Sequence, residues 1–296
     1  MSRTAWLLLI LLSLLWGGSF LTARIAAPSI PPFTLVFVRV LLAAVALNLV
    51  LAATGRRLPL DARSLRDFAV MGLLNNVVPF ALIFFGTRTI GAGLASILNA
   101  MTPIATVLVM HAATTDEKIT APKAVGVAFG FVGVAVLIGA GALAGLGEHL
   151  AAELACLGAT VSYAFSTLWA RRFRGRPPLV TATGQLTMAT VVVAPLALIF
   201  EDPLALPMPG PDVVAAVLFL ALAATALAYV IFFRILTLAG SNVMLVTFLV
   251  PVSAILLGVA VLGERLEPRH WAGMLLIMAG LAAIDGRLWR KLTGRS

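Results

Sequence analysis

Long apolar stretches separated by short polar gaps dominate the pattern along this chain. A helix needs roughly 20 residues to cross about 30 Å of hydrocarbon, and ten stretches approach that length. They are approximately Ala5 to Leu21, Phe33 to Ala53, Phe68 to Gly86, Ala92 to His111, Lys123 to Gly141, Leu154 to Ala170, Val180 to Phe200, Val213 to Leu236, Asn242 to Leu262 and His270 to Leu288. The pattern predicts an all-α membrane protein with ten transmembrane helices.

The basic residues concentrate in alternate gaps between these stretches. If the N-terminus is inside, 16 of the 21 Lys and Arg residues fall in inner segments. The outer gaps hold only Arg24, Arg88, Arg265 and Arg269, and Arg39 lies within the second stretch. Because cytoplasmic loops of membrane proteins are enriched in Lys and Arg, this split predicts that both termini are cytoplasmic.

The second half of the sequence repeats landmarks of the first half. The clearest correspondences, about 147 residues apart, are Pro103 with Pro251, Glu117 with Glu264, Gly126 with Gly273 and Arg39 with Gln185. We therefore expect two five-helix repeats, residues 1–147 and 148–296, that together form one transport domain. Since five is odd, the second repeat would cross the bilayer in the opposite sense, an arrangement that recurs in secondary transporters.

Composition excludes several classes of protein. The chain is 61 % hydrophobic and 11 % charged, against about 25 % charged residues in soluble domains. The single Cys156 leaves no internal disulfide and no cysteine metal site. The net charge of +9 lies at helix ends, so we expect no nucleic-acid partner. Neither a cofactor nor a metal is expected, and the stretches hold no HExxH or Ser-His arrangement of an intramembrane enzyme.

Three prolines are expected to act as hinges. Pro103 and Pro251 fall near the middle of their predicted helices, where proline frees the carbonyl four residues back, those of Asn99 and Thr247. In lipid such a carbonyl must be satisfied by protein or water, so the broken turns should face an interior cavity. Pro79 is a third candidate hinge. Packing kinks with no ligand remain the alternative.

Polar and aromatic side chains on several helices outline a mostly uncharged cavity. The candidate lining residues are Trp16, Asn76, Ser96, Asn99, Thr102, Tyr163, Gln185, Thr225, Tyr229 and Thr247. Ser and Thr in such helices also bond to neighbouring helices. Arg39 is the one permanently charged residue deep inside a stretch. Either it binds a substrate carboxylate or a neighbouring carbonyl, or it extends outward and locks the second helix.

Glycines mark one face of the fifth and tenth predicted helices. Gly126, Gly130 and Gly133 share a face, and Gly273 and Gly280 repeat part of it. Small residues let helices pack closely in membranes. We expect these helices to form scaffold or a dimer contact, so the protein is a monomer or a homodimer.

The order of several motifs resembles that of a known family. Trp16 to Phe20 read WGGSF, Pro31-Pro32 precede Arg39, and Gly263 to Pro268 read GERLEP before Gly273 and Gly280. These features resemble EamA-type members of the drug/metabolite transporter superfamily, and the chain looks most like YddG-type amino-acid exporters. The first half departs at Asp116, where a glycine would precede the glutamate. The resemblance implies a cavity lined by helices 1 to 4 and 6 to 9, with helices 5 and 10 set back.

The expected function follows from this resemblance and the repeat. We expect a multi-pass protein of the bacterial plasma (inner) membrane that moves small metabolites by alternating access. The expected substrates are amino acids, aromatic or otherwise neutral and amphipathic, and the expected direction is export. A nucleotide-sugar or other anion carrier of the same architecture, or a passive channel, is the alternative.

Overall fold

The structure is a computed structural model that describes residues 2–138, 149–239, 243 and 245–285. Over these residues it is entirely helical, with no strand. The α-helices are α1 (Arg3–Ala26), α2 (Pro32–Ala53), α3 (Ala62–Gly72), α4 (Val78–Asn99), α5 (Thr102–Ala113), α6 (Ala121–Ile138), α7 (Leu150–Ala170), α8 (Pro178–Phe200), α9 (Pro211–Leu218), α10 (Ala228–Ala239), α11 (Val246–Leu262) and α12 (Pro268–Asp285).

Six helical spans in the described part of the chain are long and apolar enough to cross a membrane. They are Arg3–Ala26, Pro32–Ala53, Ala62–Asn99, Leu150–Phe173, Pro178–Phe200 and Pro211–Ile235, and the shorter apolar helices are Thr102–Ala113, Ala121–Val136, Leu249–Leu262 and Pro268–Ile284. The all-helical membrane class is therefore confirmed. The count of ten crossings and the cytoplasmic termini stay predictions.

Some predicted features fall outside the described residues. The boundary at 147/148 lies within the undescribed segment 139–148, and the basic C-terminal residues Arg287, Arg290, Lys291 and Arg295 lie beyond residue 285.

Two helical spans contain π-helical segments, which the sequence pattern did not predict. Leu73–Val77 joins α3 to α4, and Phe219–Leu227 joins α9 to α10. A π turn bonds residues five apart and so accommodates an extra residue within a helix, often at a functional site. Both segments carry polar residues that meet at the candidate site.

The boundary between the third and fourth predicted helices differs from the sequence prediction. The chain remains helical from Ala62 to Asn99 except at Gly91, whose φ is 79° and ψ is 171°. Only glycine adopts this conformation readily, so one residue makes the turn that a longer polar gap was expected to make.

Pro103 lies in the first turn of α5, not in the middle of a helix as predicted. The preceding helix ends at Asn99, because proline cannot continue the hydrogen-bond ladder. The Asn99 carbonyl accepts a hydrogen bond of 2.7 Å from the Thr102 hydroxyl. The group predicted to be freed toward a cavity is thus satisfied locally. Pro251 does lie inside its helix, α11.

The glycine faces of α6 and α12 pack against each other within one chain. A Cβ on Gly126 would lie 2.5 Å from the Gly280 carbonyl oxygen, and one on Gly280 would lie 2.6 Å from the Gly126 carbonyl oxygen. Glycine at both positions allows this approach. These residues therefore form an internal contact, whereas a homodimer through another surface stays untested.

The remaining main packing contacts pair α1 with α11, α4 with α7 and α2 with α8. The pair α1 and α11 corresponds to the pair α7 and α5, which also pack together, when the two halves are exchanged, because Pro251 of α11 corresponds to Pro103 of α5. The pair α2 and α8 corresponds to itself. This packing brings α2 and α8 together at the centre, where the polar cluster lies.

Candidate functional site

Arg39 is buried in α2 with 6 % of its surface exposed. Its Nε donates a hydrogen bond of 2.9 Å to the Thr225 hydroxyl. Its Cζ lies 3.7 Å from the centroid of the Phe80 ring and 5.7 Å from that of Phe84. Within the described residues, no carboxylate lies within ion-pair distance of this guanidinium. The charge is held by one hydrogen bond and two rings, without an acidic partner.

Thr225 presents its hydroxyl to Arg39 because of the π-helical segment that carries it. The hydroxyl donates a hydrogen bond of 2.7 Å to the Leu220 carbonyl, five residues back. With its proton committed there, the oxygen is left to accept from Arg39. The local backbone therefore sets the polarity of the contact.

A second network joins Asn75 and Asn76 of the first π segment to α8 and α10. Asn75 Nδ2 lies 3.2 Å from the Tyr229 hydroxyl and 3.4 Å from Gln185 Oε1. Asn76 Nδ2 lies 3.3 Å from the same tyrosine oxygen. The Ser166 hydroxyl donates to Asn75 Oδ1 at 3.1 Å. The two halves of the chain thus meet through neutral polar groups.

The two networks are close to each other. Thr225, which binds Arg39, and Tyr229, which belongs to the asparagine network, lie four residues apart in one helical span, and Tyr163 and Tyr229 both pack against the core that contains Phe80. Asn76, Gln185 and Thr225 are 0 %, 4 % and 2 % exposed. One acceptor in this closed cluster, Asn76 Oδ1, has no hydrogen-bond partner.

Trp16 and Tyr163 connect the cluster to the packed interior beside it. The Trp16 ring lies 5.8 Å from that of Phe232, and both Trp16 and Tyr163 pack against the core formed around α1, α4 and α11. Tyr163 also packs against the second core, which contains residues of α2 and α8. Tyr163 therefore lies between the aromatic and the charged sides of the site.

The structure brings together six of the predicted site residues. The connected set, which we call the central cluster, is Arg39, Asn76, Tyr163, Gln185, Thr225 and Tyr229. In contrast, the Ser96 hydroxyl bonds to the Gly93 carbonyl and that of Thr102 to the Asn99 carbonyl, both locally along the chain. Thr247 is partly buried in α11. Pro79 lies in the first turn of α4, two residues after the first π segment.

Asn99 carries the other side-chain oxygen of interest near this region. Its Oδ1 is buried without a partner, at the end of α4 where the helix breaks before α5. The predicted role of Asn99 in a cavity stays a prediction. Its backbone carbonyl, bonded to Thr102, does not contribute.

Two glutamates bind helix N-termini on the face predicted to be external, and the sequence reading assigned them no role. Glu264 accepts from the backbone N–H groups of Ala92 and Gly93 at 2.7 and 3.0 Å. Glu201 accepts from those of Phe33 and Thr34 at 3.0 and 2.7 Å. A helix N-terminus has unsatisfied N–H groups and favours an anion. Both contacts join the second half of the chain to the first.

The opposite face is held differently. Arg171 Nη1 donates to Asp116 Oδ1 at 3.1 Å, and its Nη2 donates to Oδ2. This hydrogen bonding lowers the pKa of the exposed Asp116 carboxyl to about 2. Trp169 Nε1 donates to the Asp67 carbonyl at 3.0 Å. The contacts described on this face are therefore an ion pair and an indole hydrogen bond between the halves, whereas those described on the other face are carboxylates bound to helix N-termini.

Sequence comparison relates the chain to known transporters. The profile of the EamA-like transporter family matches residues 3–139 and 150–284. The uncharacterized transporter YvbV of Bacillus subtilis is 29 % identical over 296 residues, which cover 96 % of this chain and 92 % of that protein. A Salmonella typhimurium protein named "Probable amino-acid metabolite efflux pump" is 27 % identical over 95 % of this chain and 94 % of its own.

Structural comparison agrees at the level of the fold. A solved crystal structure superposes with a TM-score of 0.69 over 99 % of both chains, at 21 % sequence identity. At this identity the likeness concerns the fold alone.

Proposed function

The chain belongs to the EamA-like transporter family, and we propose that it is a secondary transporter that exports small amphipathic metabolites, chiefly amino acids, by alternating access. The family and its relatives are transporters, not enzymes. Amino acids as substrates and export as direction are supported by the name of the Salmonella relative and by the motif likeness to YddG-type exporters. The proposed location is the bacterial plasma membrane.

The observation that carries this proposal is the central cluster itself. Polar residues inside membrane helices are costly and mark substrate or ion pathways. Here they come from both halves of the chain, and four of the six are buried, with Arg39 6 % and Gln185 4 % exposed, while the two tyrosines are partly buried. A carrier must close its site from both sides at one stage of its cycle, and a buried site shared by two halves suits that requirement.

The proposed movement is a rocking of one half against the other, with an inverted repeat as its basis. The correspondence of packing pairs under exchange of the halves supports it. Gly91 and the break before Pro103 interrupt the helices on one side of the site, and Pro251 lies inside α11, where it cannot donate a backbone hydrogen bond. These are the positions at which we expect backbone angles to change.

The rival substrates differ in charge. A nucleotide sugar carries two negative charges on its diphosphate, and a site for it should offer several cations. Within the described residues of the central cluster, Arg39 is the one side chain with a permanent positive charge. The cluster therefore favours a substrate with one anionic group.

Flux measurements in proteoliposomes test the proposed function. Vesicles with purified protein are loaded with unlabelled candidate compound, and uptake of the radiolabelled compound is followed. A carrier gives saturable uptake that is accelerated by the loaded compound, because the return step of the loaded site is faster. The panel covers amino acids, organic anions, cations and sugars, with protein-free vesicles as control.

Two results would contradict the proposal. Uptake that rises linearly with concentration and ignores the internal compound would indicate a channel. The absence of protein-dependent flux for the whole panel would remove the transport function.

A further inference from the structure

The central cluster contains a cation whose polar edge is incompletely satisfied. The recorded hydrogen bond of the Arg39 guanidinium is the one from Nε to Thr225. No hydrogen bond is recorded for Nη1 or Nη2 with the described residues, and no carboxylate there lies within ion-pair distance. The Phe80 ring stacks against the guanidinium at 3.7 Å, which leaves this edge for another partner.

Burial makes such an arrangement costly for the empty protein. A charge without an acidic partner in a low-dielectric interior loses much of its hydration. A cation–π contact restores only part of that loss. An anion that binds the two Nη groups would restore the balance, and a carboxylate matches the forked geometry of arginine.

A second unsatisfied group is bonded to Tyr229. Asn76 is 0 % exposed and its Oδ1 has no partner, while its Nδ2 donates to the Tyr229 hydroxyl. Tyr229 lies four residues after Thr225, the hydrogen-bond partner of Arg39, in the same helical span. A buried carbonyl oxygen of this kind accepts an N–H donor. The cluster thus offers donors for an anion and an acceptor for an amine, joined by one tyrosine.

We propose that Arg39 and Asn76 form a receptor for a zwitterion, with the substrate carboxylate on Arg39 Nη1 and Nη2 and its ammonium group on Asn76 Oδ1. The Phe80 ring lies beside the Arg39 guanidinium and faces the apolar part of the substrate. The inference rests on the proposed transport function and gives its substrate class an ionic form, an α-amino acid with both charges present.

Matched ligands test the receptor on the unaltered protein. The proteinogenic L-amino acids are screened for protection against thermal unfolding of the purified protein. For each amino acid that binds, three analogues are compared: the amide, which lacks the carboxylate; the decarboxylated amine; and the deaminated acid, which lacks the ammonium. For phenylalanine these are phenylalaninamide, phenethylamine and 3-phenylpropanoate.

We expect the amide and the amine to bind about tenfold to a hundredfold more weakly than the amino acid, because each loses a charged hydrogen-bonded contact. The deaminated acid should also bind at least several-fold more weakly. In Arg39→Gln the amino acid and its amide should bind equally. Arg57→Gln, which removes an exposed arginine, should keep the full preference.

The outcomes separate this inference from the transport function. The receptor is ruled out if the unaltered protein binds the amino acid and its amide equally. It is also ruled out if Arg39→Gln still binds the amino acid more tightly than the amide. If no amino acid binds while another class of compound shows saturable flux, the chain remains a transporter and the zwitterion receptor is wrong. A variant that loses its size-exclusion profile does not affect the test, because the ligand comparison on the unaltered protein decides it.

Discussion

Arg39 and Gln185 hold corresponding places in the two halves of the chain, yet one is a cation and the other a neutral amide. Each reaches across to a π-helical segment of the opposite half. Arg39 bonds to Thr225 in the second segment, and Gln185 accepts from Asn75 in the first. The contact with a π-helical segment of the opposite half is therefore repeated, whereas the positive charge is present in one half of the site.

The aromatic residues extend the correspondence. Phe80 and Phe84 lie beside Arg39, with ring centroids 6.4 Å apart and an interplanar angle of 32°. Tyr229 and Phe233 of α10 form a ring pair of similar geometry in the second half, with 6.4 Å and 31°. The second half therefore has a similar ring pair without the charge. A symmetric frame permits two arrangements, and a single charge lets the site hold a substrate in one orientation.

Moving the charge across the site should give the largest effect. Arg39→Gln should reduce transport by about 30-fold or more, since loss of one partner of a buried charged contact costs about 2–5 kcal/mol. Gln185→Arg alone should be equally harmful, because it places two cations in one closed cluster. The double variant should regain at least about tenfold over Arg39→Gln, since the rings of Tyr229 and Phe233 can receive the charge. Initial uptake rates measure all three.

The double variant decides whether the repeated geometry has functional meaning. If it is no more active than Arg39→Gln, the correspondence between the halves is a matter of fold alone. Size-exclusion profiles of each purified variant serve as the control for folding.

The two hydrogen bonds that join the halves, Arg39 to Thr225 and Asn75 to Gln185, should differ in strength. Thr225→Val keeps the shape of the side chain but leaves the charged Nε–H of Arg39 without an acceptor, a loss of about 1.5–3 kcal/mol in substrate affinity. Asn75→Ala breaks neutral hydrogen bonds to Gln185 and Tyr229, each worth about 0.5–1.5 kcal/mol. Substrate dissociation constants from thermal shifts should rank the two variants in that order.

A matched variant isolates the hydroxyl of Thr225. Thr225→Ser retains the oxygen that accepts from Arg39 and should bind substrate nearly as well as the unaltered protein. An Asn75→Ala effect larger than that of Thr225→Val would mean that the neutral contact, not the charged one, dominates the site.

The members of the central cluster could be predicted from the sequence because polar side chains in membrane helices avoid contact with lipid. Arg39, Asn76 and Gln185 stand out as polar residues within apolar stretches, and lipid forces such groups toward a protein interior. Ser96 and Thr102 were selected by the same rule, but their hydroxyls bond to nearby backbone, which satisfies them equally well. Polarity alone does not distinguish these two outcomes.

Other features of the site could not be predicted, because they do not change the helical periodicity of apolar and polar residues. The π segments insert a residue without changing the apolar composition of the helix, so Leu73–Val77 reads as ordinary helix. Phe80 and Phe84 are apolar residues in an apolar run, and their stacking on Arg39 is set by tertiary packing. Glu201 bonds to a helix more than 160 residues away in sequence, a contact that only the fold brings about.

Glu201 provides the smallest of the expected differences between the halves. It binds the N-terminus of α2, the helix that carries Arg39. The N-cap residues of α2 and of α8, the helix that carries Gln185, are both prolines without a side-chain hydrogen bond, and among the described residues no carboxylate binds the first turn of α8 as Glu201 binds that of α2. Glu201→Gln removes the charge from this cap and should lower stability by about 1 kcal/mol, measured as a drop in the thermal midpoint.

Asp202→Asn removes an exposed charge one residue further on and should leave the midpoint unchanged. Equal shifts in the two variants would mean that the loop responds to charge in general and that α2 is not specifically anchored. A shift confined to Glu201→Gln would instead show that the charged half of the site is also the more firmly held, so that the asymmetry of the site extends from the position of the charge to the anchoring of its helix.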